Sequence, residues 1–398
     1  MVITKLDLKK STINIVITLL IVFVQQAFSQ TYPKFGPETK VTITGLTFDA
    51  MEPFISVDGN TLFFNSLNSG GNTNLYYASK VNDTTFTYVG LVGGTYDSSP
   101  NHLDGVASVD SLNNFFWTSL RDYPTQMENL HRGIYLAGNV SNISRVYGNF
   151  NIYNFNYPFG WLIMDAAINY EGDLLYFCNA KFDFSNTTCV GVPCESKIGV
   201  AQKVNDSTFN KLTTSDAILS NINDTINYIA YAPQVTKDGL ELYYTRLQKG
   251  TYNTEICVSV RNNLNDTFSL PMIIHSNIGL IPEGASPTSD KQKIYYHQKD
   301  GAGTFAIYLR SRTGVTGINE QANIKNFKVY PNPTNNIFNV FLSNPSANFT
   351  LSIYSSLGQK LIELYNSTSI DISNFPTGIY FLTVNYDDKI QTTKIVKE

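Results

Sequence analysis

One arrangement of apolar and polar positions recurs along the chain. It reads Pro53-Phe-Ile-Ser-Val-Asp58-Gly59-Asn-Thr-Leu-Phe63-Phe64, then a gap, then Leu75-Tyr76-Tyr77-Ala-Ser-Lys80-Val-Asn82-Asp83-Thr-Thr-Phe86. It returns at Ala166–Phe177 with Ile198–Phe209, and at Pro233–Tyr244 with Ile256–Phe268. Weaker copies centre on Phe116-Trp117 with Ile134-Tyr135, and on Tyr295-Tyr296 with Ile307-Tyr308. Apolar and polar residues alternate with period two on either side of an Asp-Gly pair. That is the pattern of a hairpin whose turn needs positive φ. Each unit therefore predicts strand, tight turn, strand, loop, strand, Asn-Asp turn, strand.

The aromatic anchors Phe63, Phe116, Tyr176, Tyr243 and Tyr295 lie roughly 50 to 70 residues apart, somewhat longer than a common propeller repeat. A four-stranded sheet cannot bury both faces alone. Arranged radially, each sheet covers its neighbour. The pattern predicts an all-β chain: a five-bladed β-propeller over residues 36–313, then a small seven-stranded Ig-like β-sandwich. The last unit lacks a fourth strand, and Lys40–Phe48 is unassigned. That run is expected to supply the outer strand of the last blade and close the ring. The competing fold is a many-stranded β-sandwich.

Composition agrees. Hydrophobic residues make up 42% and charged residues only 15%, with 25 Tyr and 25 Phe. Such a chain can bury a core, which excludes disorder. Lys and Arg number 28 against 32 Asp and Glu, a formal charge of -4. No excess of positive charge serves a nucleic-acid partner.

Residues 1–29 read as a secretory signal peptide. Lys5, Lys9 and Lys10 are basic, Ile15–Val24 is apolar, and Ala27-Phe28-Ser29 is a small-x-small site. Cleavage after Ser29 would leave Gln30 as the new N-terminus. No transmembrane segment is expected after its removal. Cys189 and Cys194 flank Val-Gly-Val-Pro in a polar insertion and are expected to form a local disulfide, with a metal site as the alternative. Cys178 and Cys257 sit in strand-like runs and are expected to be buried thiols.

The Pro-x-x-Ser-x-Asp-Gly-x-x-Leu-Tyr/Phe-Phe pattern resembles the propeller repeats of TolB and related secreted bacterial proteins. The resemblance implies a fold and no particular reaction.

Residues 314–326 are polar with little periodicity and read as a linker. Beyond it, seven short strands are expected at 327–330, 336–342, 349–354, 359–365, 369–372, 378–386 and 389–397. The motifs here are Val329-Tyr330-Pro331-Asn332-Pro333-Thr334, then Leu357-Gly358-Gln359, then Phe375-Pro376-Thr377-Gly378-Ile379-Tyr380, and the terminal Lys394-Ile395-Val396-Lys397. Pro331 and Pro333 stop strand pairing, and Gly358 suits a hairpin turn. In order and spacing, residues 327–398 closely resemble the type A C-terminal sorting domain of Bacteroidetes type IX secretion cargo. The resemblance implies partners: the outer-membrane translocon and a sortase that cuts in the linker before Phe327. It implies passage through the periplasm to the outer cell surface or the medium.

Ligand sites in propellers usually lie at one mouth of the channel. The candidates there are Asp49, Glu52, Asp97, His102, Asp165, Tyr228, Tyr231 and Glu283, of which Glu52, Asp165, Tyr231 and Glu283 are the expected binding residues. Trp161, Tyr228 and Tyr231 would offer aromatic faces to a sugar. Two readings follow. In the first, the propeller binds a glycan or protein without catalysis. In the second it is a glycoside hydrolase, similar to the arabinanase and levansucrase type, with Glu52, Asp165 and Glu283 as the acids. Against the second, an acidic residue precedes the inner strand in four of five units (Asp49, Asp97, Asp165, Glu283), and repetition favours a structural turn. An envelope scaffold is a third reading. No G-x-S-x-G, H-E-x-x-H or phosphate-binding Gly loop occurs. The four histidines, His102, His131, His275 and His297, are scattered. No cofactor and no metal are expected. The Asn-Asp-Ser/Thr sequons at Asn82, Asn205, Asn223 and Asn265 are read as blade turns. Asp83-Thr84-Thr85 and Asp206-Ser207-Thr208 also resemble the O-glycosylation motif of these bacteria.

Overall fold

The computed structural model of the chain describes residues 31–313 and 327–398, apart from 69–71, 97–101, 151, 153, 157–158, 184, 188, 190, 343–348, 357 and 387–388. The leader, the linker, Asp97 and Leu357 lie outside the described residues. The chain divides into two compact units at Gly314/Val315. Both are almost wholly β, with one helical turn at Ser215–Ile218.

The first unit consists of five sheets, antiparallel apart from one short parallel strand, that follow one another along the chain apart from the N-terminal strand. The first strands of their hairpins are Met51–Ile55, Asp104–Val109, Phe159–Ile168, Tyr228–Val235 and Glu283–Pro287, and Asn154–Asn156 pairs along the free side of the third of these. The second strands are Thr61–Asn65, Asn114–Ser119, Leu174–Asp183, Glu241–Gln248 and Lys293–Lys299. Tight turns join first to second: Gly59, Gly172 and Gly239 have φ of 72°, 76° and 69°. The Asn-Asp turns between outer strands are closed by the Asn82 and Asn205 side chains, which accept the Thr84 and Ser207 amides at 3.0 and 3.1 Å.

The paired aromatics of the second strands explain why the sheets associate. Successive side chains of a strand point to opposite faces. Phe63 and Phe115 therefore meet between the first and second sheets, and Phe116 and Phe177 between the second and third. Tyr176 and Tyr244 meet between the third and fourth, and Tyr243 and Tyr296 between the fourth and fifth. Tyr295 and Phe64 meet between the fifth and the first. All ten rings are buried. Burying one such ring stabilises the fold by about 1.5–3 kcal/mol. No sheet keeps these faces dry unless both neighbours are present. The first strands pack on one another in the same cycle, the one at Glu283–Pro287 returning to Met51–Ile55.

The closing strand differs from expectation. Residues Lys34–Lys40, not 40–48, pair antiparallel with Phe305–Thr313 as the outer strand of the last sheet. Thr42–Thr44 instead lie parallel to Thr85–Thr87 of the first sheet. Val41, 4% exposed, turns into the core between the two sheets and splits the run. The sequence Lys-Phe-Gly-Pro-Glu-Thr-Lys looks unlike a strand. It serves at this edge because Pro37 falls within the irregular register between Phe35 and Glu38, where no regular ladder bond is needed.

The second unit has seven strands in two sheets. Phe327–Tyr330, Ile337–Leu342 and Ser369–Asp371 form one; Lys360–Tyr365, Phe349–Ser355, Gly378–Tyr386 and Lys389–Lys397 form the other. Between them lies a separate core that includes Phe327, Phe338, Leu351, Tyr380, Leu382 and Ile395.

Candidate binding site

Every first strand is interrupted by a bulge. The register shifts at Met51/Phe54, Gly105/Ser108, Ile163/Asp165, Tyr231/Gln234 and Glu283/Ser286. Glu52, Val106, Ala232 and Gly284 take positive φ of 49°, 57°, 49° and 67° there. A bulge frees a backbone N–H from the ladder, and here a side chain of the preceding sheet accepts it. Asn65 Oδ1 accepts Val106 N–H at 3.3 Å, and Asn129 Oδ1 accepts Ile163 N–H at 3.0 Å. Asp165 Oδ2 accepts Ala232 N–H at 3.1 Å, and Thr245 Oγ1 accepts Gly284 N–H at 3.1 Å. His297 Nδ1 accepts Glu52 N–H at 3.0 Å and completes the circuit from the fifth sheet to the first.

The same bulges turn acidic side chains towards one place. Glu52 and Asp165 are buried, and Glu283 keeps 15% of its side chain exposed. One oxygen each of Glu52 and Glu283 and one His297 ring nitrogen lie within 4.8 Å of one another. The Tyr231 hydroxyl donates to Glu283 Oε1. Gly284 leaves room for the cluster, since a Cβ there would stand 2.8 Å from Glu52 Oε2. Burial, then the charges of Asp165 and Glu283, raises Glu52 well above the usual carboxylate range. Burial also lifts Asp165 to about 7, opposed by the Ala232 amide and reinforced by Glu283. Burial and Glu283 raise the Tyr231 phenol. The site thus holds two carboxylic acids, Glu52 and Asp165, that burial makes keep their protons towards neutrality.

Four sequence candidates, Glu52, Asp165, Tyr231 and Glu283, come together. They are not repeats of one position. Glu283 matches Met51, Gly105 and Tyr231 in register, whereas Glu52 matches Gly284. Asp49 stands apart and accepts the Phe305 amide at 2.6 Å, tying the first sheet to the last. His102 bonds Asn74 at 2.9 Å and packs on Tyr96. Tyr231 is buried and presents no open ring face. Trp161 and Tyr228 are half-buried. Each carries a cation over its ring: Lys181 at 5.9 Å and Arg246 at 4.1 Å.

His297 is the residue the sequence did not assign. Among the described residues it joins Glu52 and Glu283 in the one group with metal-ligand proximity. Its proton inventory speaks against a metal. Nδ1 accepts an amide, so the neutral ring carries its hydrogen on Nε2, the atom a metal would need. At the other end of the first strands, Ile55, Val109, Ile168, Val235 and Pro287, with Gln234, Thr236 and Lys237, help line a small depression.

Cys189 and Cys194 are joined in a disulfide with Cα atoms 5.3 Å apart. Cys178 and Cys257 are unpaired and buried. The Cys178 thiol sits 2.7 Å from Ser196 Oγ, opposite Asp165 in register.

In the second unit the motif residues hold the last strand. Asn332 Oδ1 accepts Val396 N–H at 2.9 Å and its amide donates to Lys394 O at 2.7 Å. Thr334 N–H donates to Val396 O at 2.9 Å, and Glu398 N–H returns to Thr334 O at 3.0 Å. The Tyr380 hydroxyl donates to Pro376 O at 2.7 Å. Gly358, at φ 80°, sits in its turn. Tyr330 is largely exposed.

Residues 328–398 match the family model of the secretion system C-terminal sorting domain. This tail marks the chain for export by the Bacteroidetes type IX route, to the outer surface or the medium, and for interaction with that machinery. No curated protein matches the chain. Among solved structures it is similar to a family 117 glycoside hydrolase of the marine bacterium Zobellia galactanivorans, at 10% identity over 71% of this chain and 90% of that one, TM-score 0.44. It is also similar to an endo-arabinase of Bacteroides thetaiotaomicron, at 12% identity over 70% and 98%, TM-score 0.41. An α-L-arabinofuranosidase of Podospora anserina matches at 10% identity over 71% and 97%, TM-score 0.42.

Proposed function

We propose that the five sheets are the blades of a five-bladed propeller, kin to TolB-like repeats, that binds a glycan or protein ligand at its acidic mouth. The observation that carries this reading is the convergence of Glu52, Asp165 and Glu283 from three different sheets, with Tyr231 bonded to Glu283. Three carboxylates in a largely buried mouth are costly to keep without a partner. A hydroxyl-rich ligand supplies donors to them. The second unit acts as an Ig-like sorting domain. Signal peptidase cuts after Ser29, the tail docks on the translocon, and a sortase removes it by cutting within 314–326.

A glycan array read with the full chain and with Glu283→Gln tests the binding reading. Defined glycans bound by the wild type and lost in a normally melting variant are expected. Retention of the same set by the variant would overturn it.

One observation favours hydrolysis as a second reading. Asp165 holds a proton to about pH 7 with two further carboxylates, Glu52 and Glu283, acting on the same site, and a protonated acid near a second carboxyl group is what glycoside hydrolysis uses. A reducing-sugar assay on polysaccharides decides. Turnover that falls at least about 100-fold in Asp165→Asn supports hydrolysis, and no turnover on any ligand the array finds removes it.

A further inference from the structure

This inference rests on the mouth being the binding site and concerns the class of ligand it takes. His297 is fully buried, and its Nε2 has no hydrogen-bond partner. Because Nδ1 accepts the Glu52 amide, Nε2 carries a hydrogen. Glu283 Oε2 stands 3.4 Å away, but its geometry does not satisfy that donor, and a buried donor left unpaired costs about 1–3 kcal/mol. The atom points at the cluster and wants an acceptor oxygen there. The carboxylates want the opposite. Among the described residues, the charges acting on Glu52 are those of Asp165 and Glu283, and no Lys or Arg bonds any of the three. A ligand that completes the site therefore brings positive charge and, on a neighbouring atom, an oxygen.

We propose that the mouth takes the vicinal amino alcohol of an amino sugar, its protonated amine held by Glu52 and Glu283 and its adjacent hydroxyl oxygen accepting from His297 Nε2. The spacing suits this. Ligand atoms within 4.8 Å of one another allow one ammonium to donate to both Glu52 and Glu283 at ordinary charge-assisted distances of about 2.8 Å. A uronic or sulfated sugar would add negative charge to a site that lacks a cation. A neutral sugar would bring no positive charge to take the place of the protons that burial makes Glu52 and Asp165 keep.

Calorimetric titration of the full chain tests this with three tetramers of equal length: glucosamine, N-acetylglucosamine and glucose. The glucosamine tetramer is expected to bind at least roughly tenfold more tightly than the other two. Glu283→Gln and Glu52→Gln should each remove that preference while melting normally. Equal binding of all three, lost in Glu283→Gln, would overturn the amine and leave mouth binding standing. Glucosamine binding untouched in both variants would overturn the amine and the mouth together. Saturable binding of calcium chloride that depends on Glu283 and blocks the amine would assign the site to a metal ion and overturn the proposal. Absence of heat with all three tetramers would overturn it too, with the array deciding the mouth separately.

Discussion

At the residue scale, the acidic mouth combines two demands that one side chain can meet at once. Asp165 belongs to the ring of side chains that accept bulge amides, and it also belongs to the cluster. Its proton gives a testable pH signature. The folded chain keeps that proton to about pH 7, whereas the unfolded chain releases it near pH 4. Between these values the unfolded state binds fewer protons, so this group lowers stability as pH rises, fully above 7. Asp165→Asn keeps an oxygen for the Ala232 amide and removes the ionisation. Its melting temperature should gain on the wild type between about pH 5 and pH 8 by several degrees; a constant difference would contradict the assignment. Thr245 offers a cleaner case, with no charge. Thr245→Val leaves the Gly284 amide unpaired and should cost about 1–3 kcal/mol in denaturant unfolding, largely restored by Thr245→Ser. Four of the cluster residues were legible because carboxylates and a tyrosine at strand starts stand out. His297 was not legible: it lies far from Glu52 in sequence, and only closure of the ring brings them together.

At the element scale, the hairpins were legible because Asp-Gly turns and period-two alternation are local signals. The seven windows expected in the tail coincide with seven strands for the same reason. The bulges were not legible. Nothing in Met51-Glu52-Pro53 announces positive φ at a glutamate, since the packing of neighbouring sheets imposes it. Gly284 is the exception that makes the point. At φ 67°, with Glu52 Oε2 2.8 Å from a would-be Cβ, Gly284→Ala should displace Glu52 and weaken ligand binding in calorimetry more than it lowers stability. Unaltered affinity would show that Glu52 is not part of the site. The closing strand was misplaced because Lys34–Lys40 has poor strand propensity and Lys40–Phe48 has good alternation. Pairing with Phe305–Thr313 overrode both. Removing residues 31–40 should uncover Tyr243 and Tyr308, against whose cluster Tyr32 and Phe35 pack, lower the melting temperature and raise binding of a hydrophobic dye.

At the scale of the whole molecule, the two units answer separate needs. The first holds the acidic cluster proposed as a binding site, and the second carries the export signal. In the second, the Asn332 side chain grips the last strand from both ends of its Lys394–Val396 stretch. Asn332→Ala should loosen that strand and shift the protein from medium or surface to the periplasm, read by immunoblot of cell fractions. Removal of residues 327–398 should do so completely. Undiminished delivery of the truncated chain would separate export from the tail. Export by the type IX route was legible, because the sorting motifs are sequence-local. The class of ligand proposed for the cluster was not, because it depends on how three sheets meet.

All of this rests on the last sheet touching the first, so that five thin sheets share their faces and hold one mouth. Hydrogen exchange followed by mass spectrometry on the full chain tests that closure most directly, at the amides of Glu52, Val106, Ile163, Ala232 and Gly284. A closed ring predicts that all five are protected to within about tenfold of one another and are released in one cooperative opening. Rapid exchange at Glu52, with the other four still protected, would contradict it.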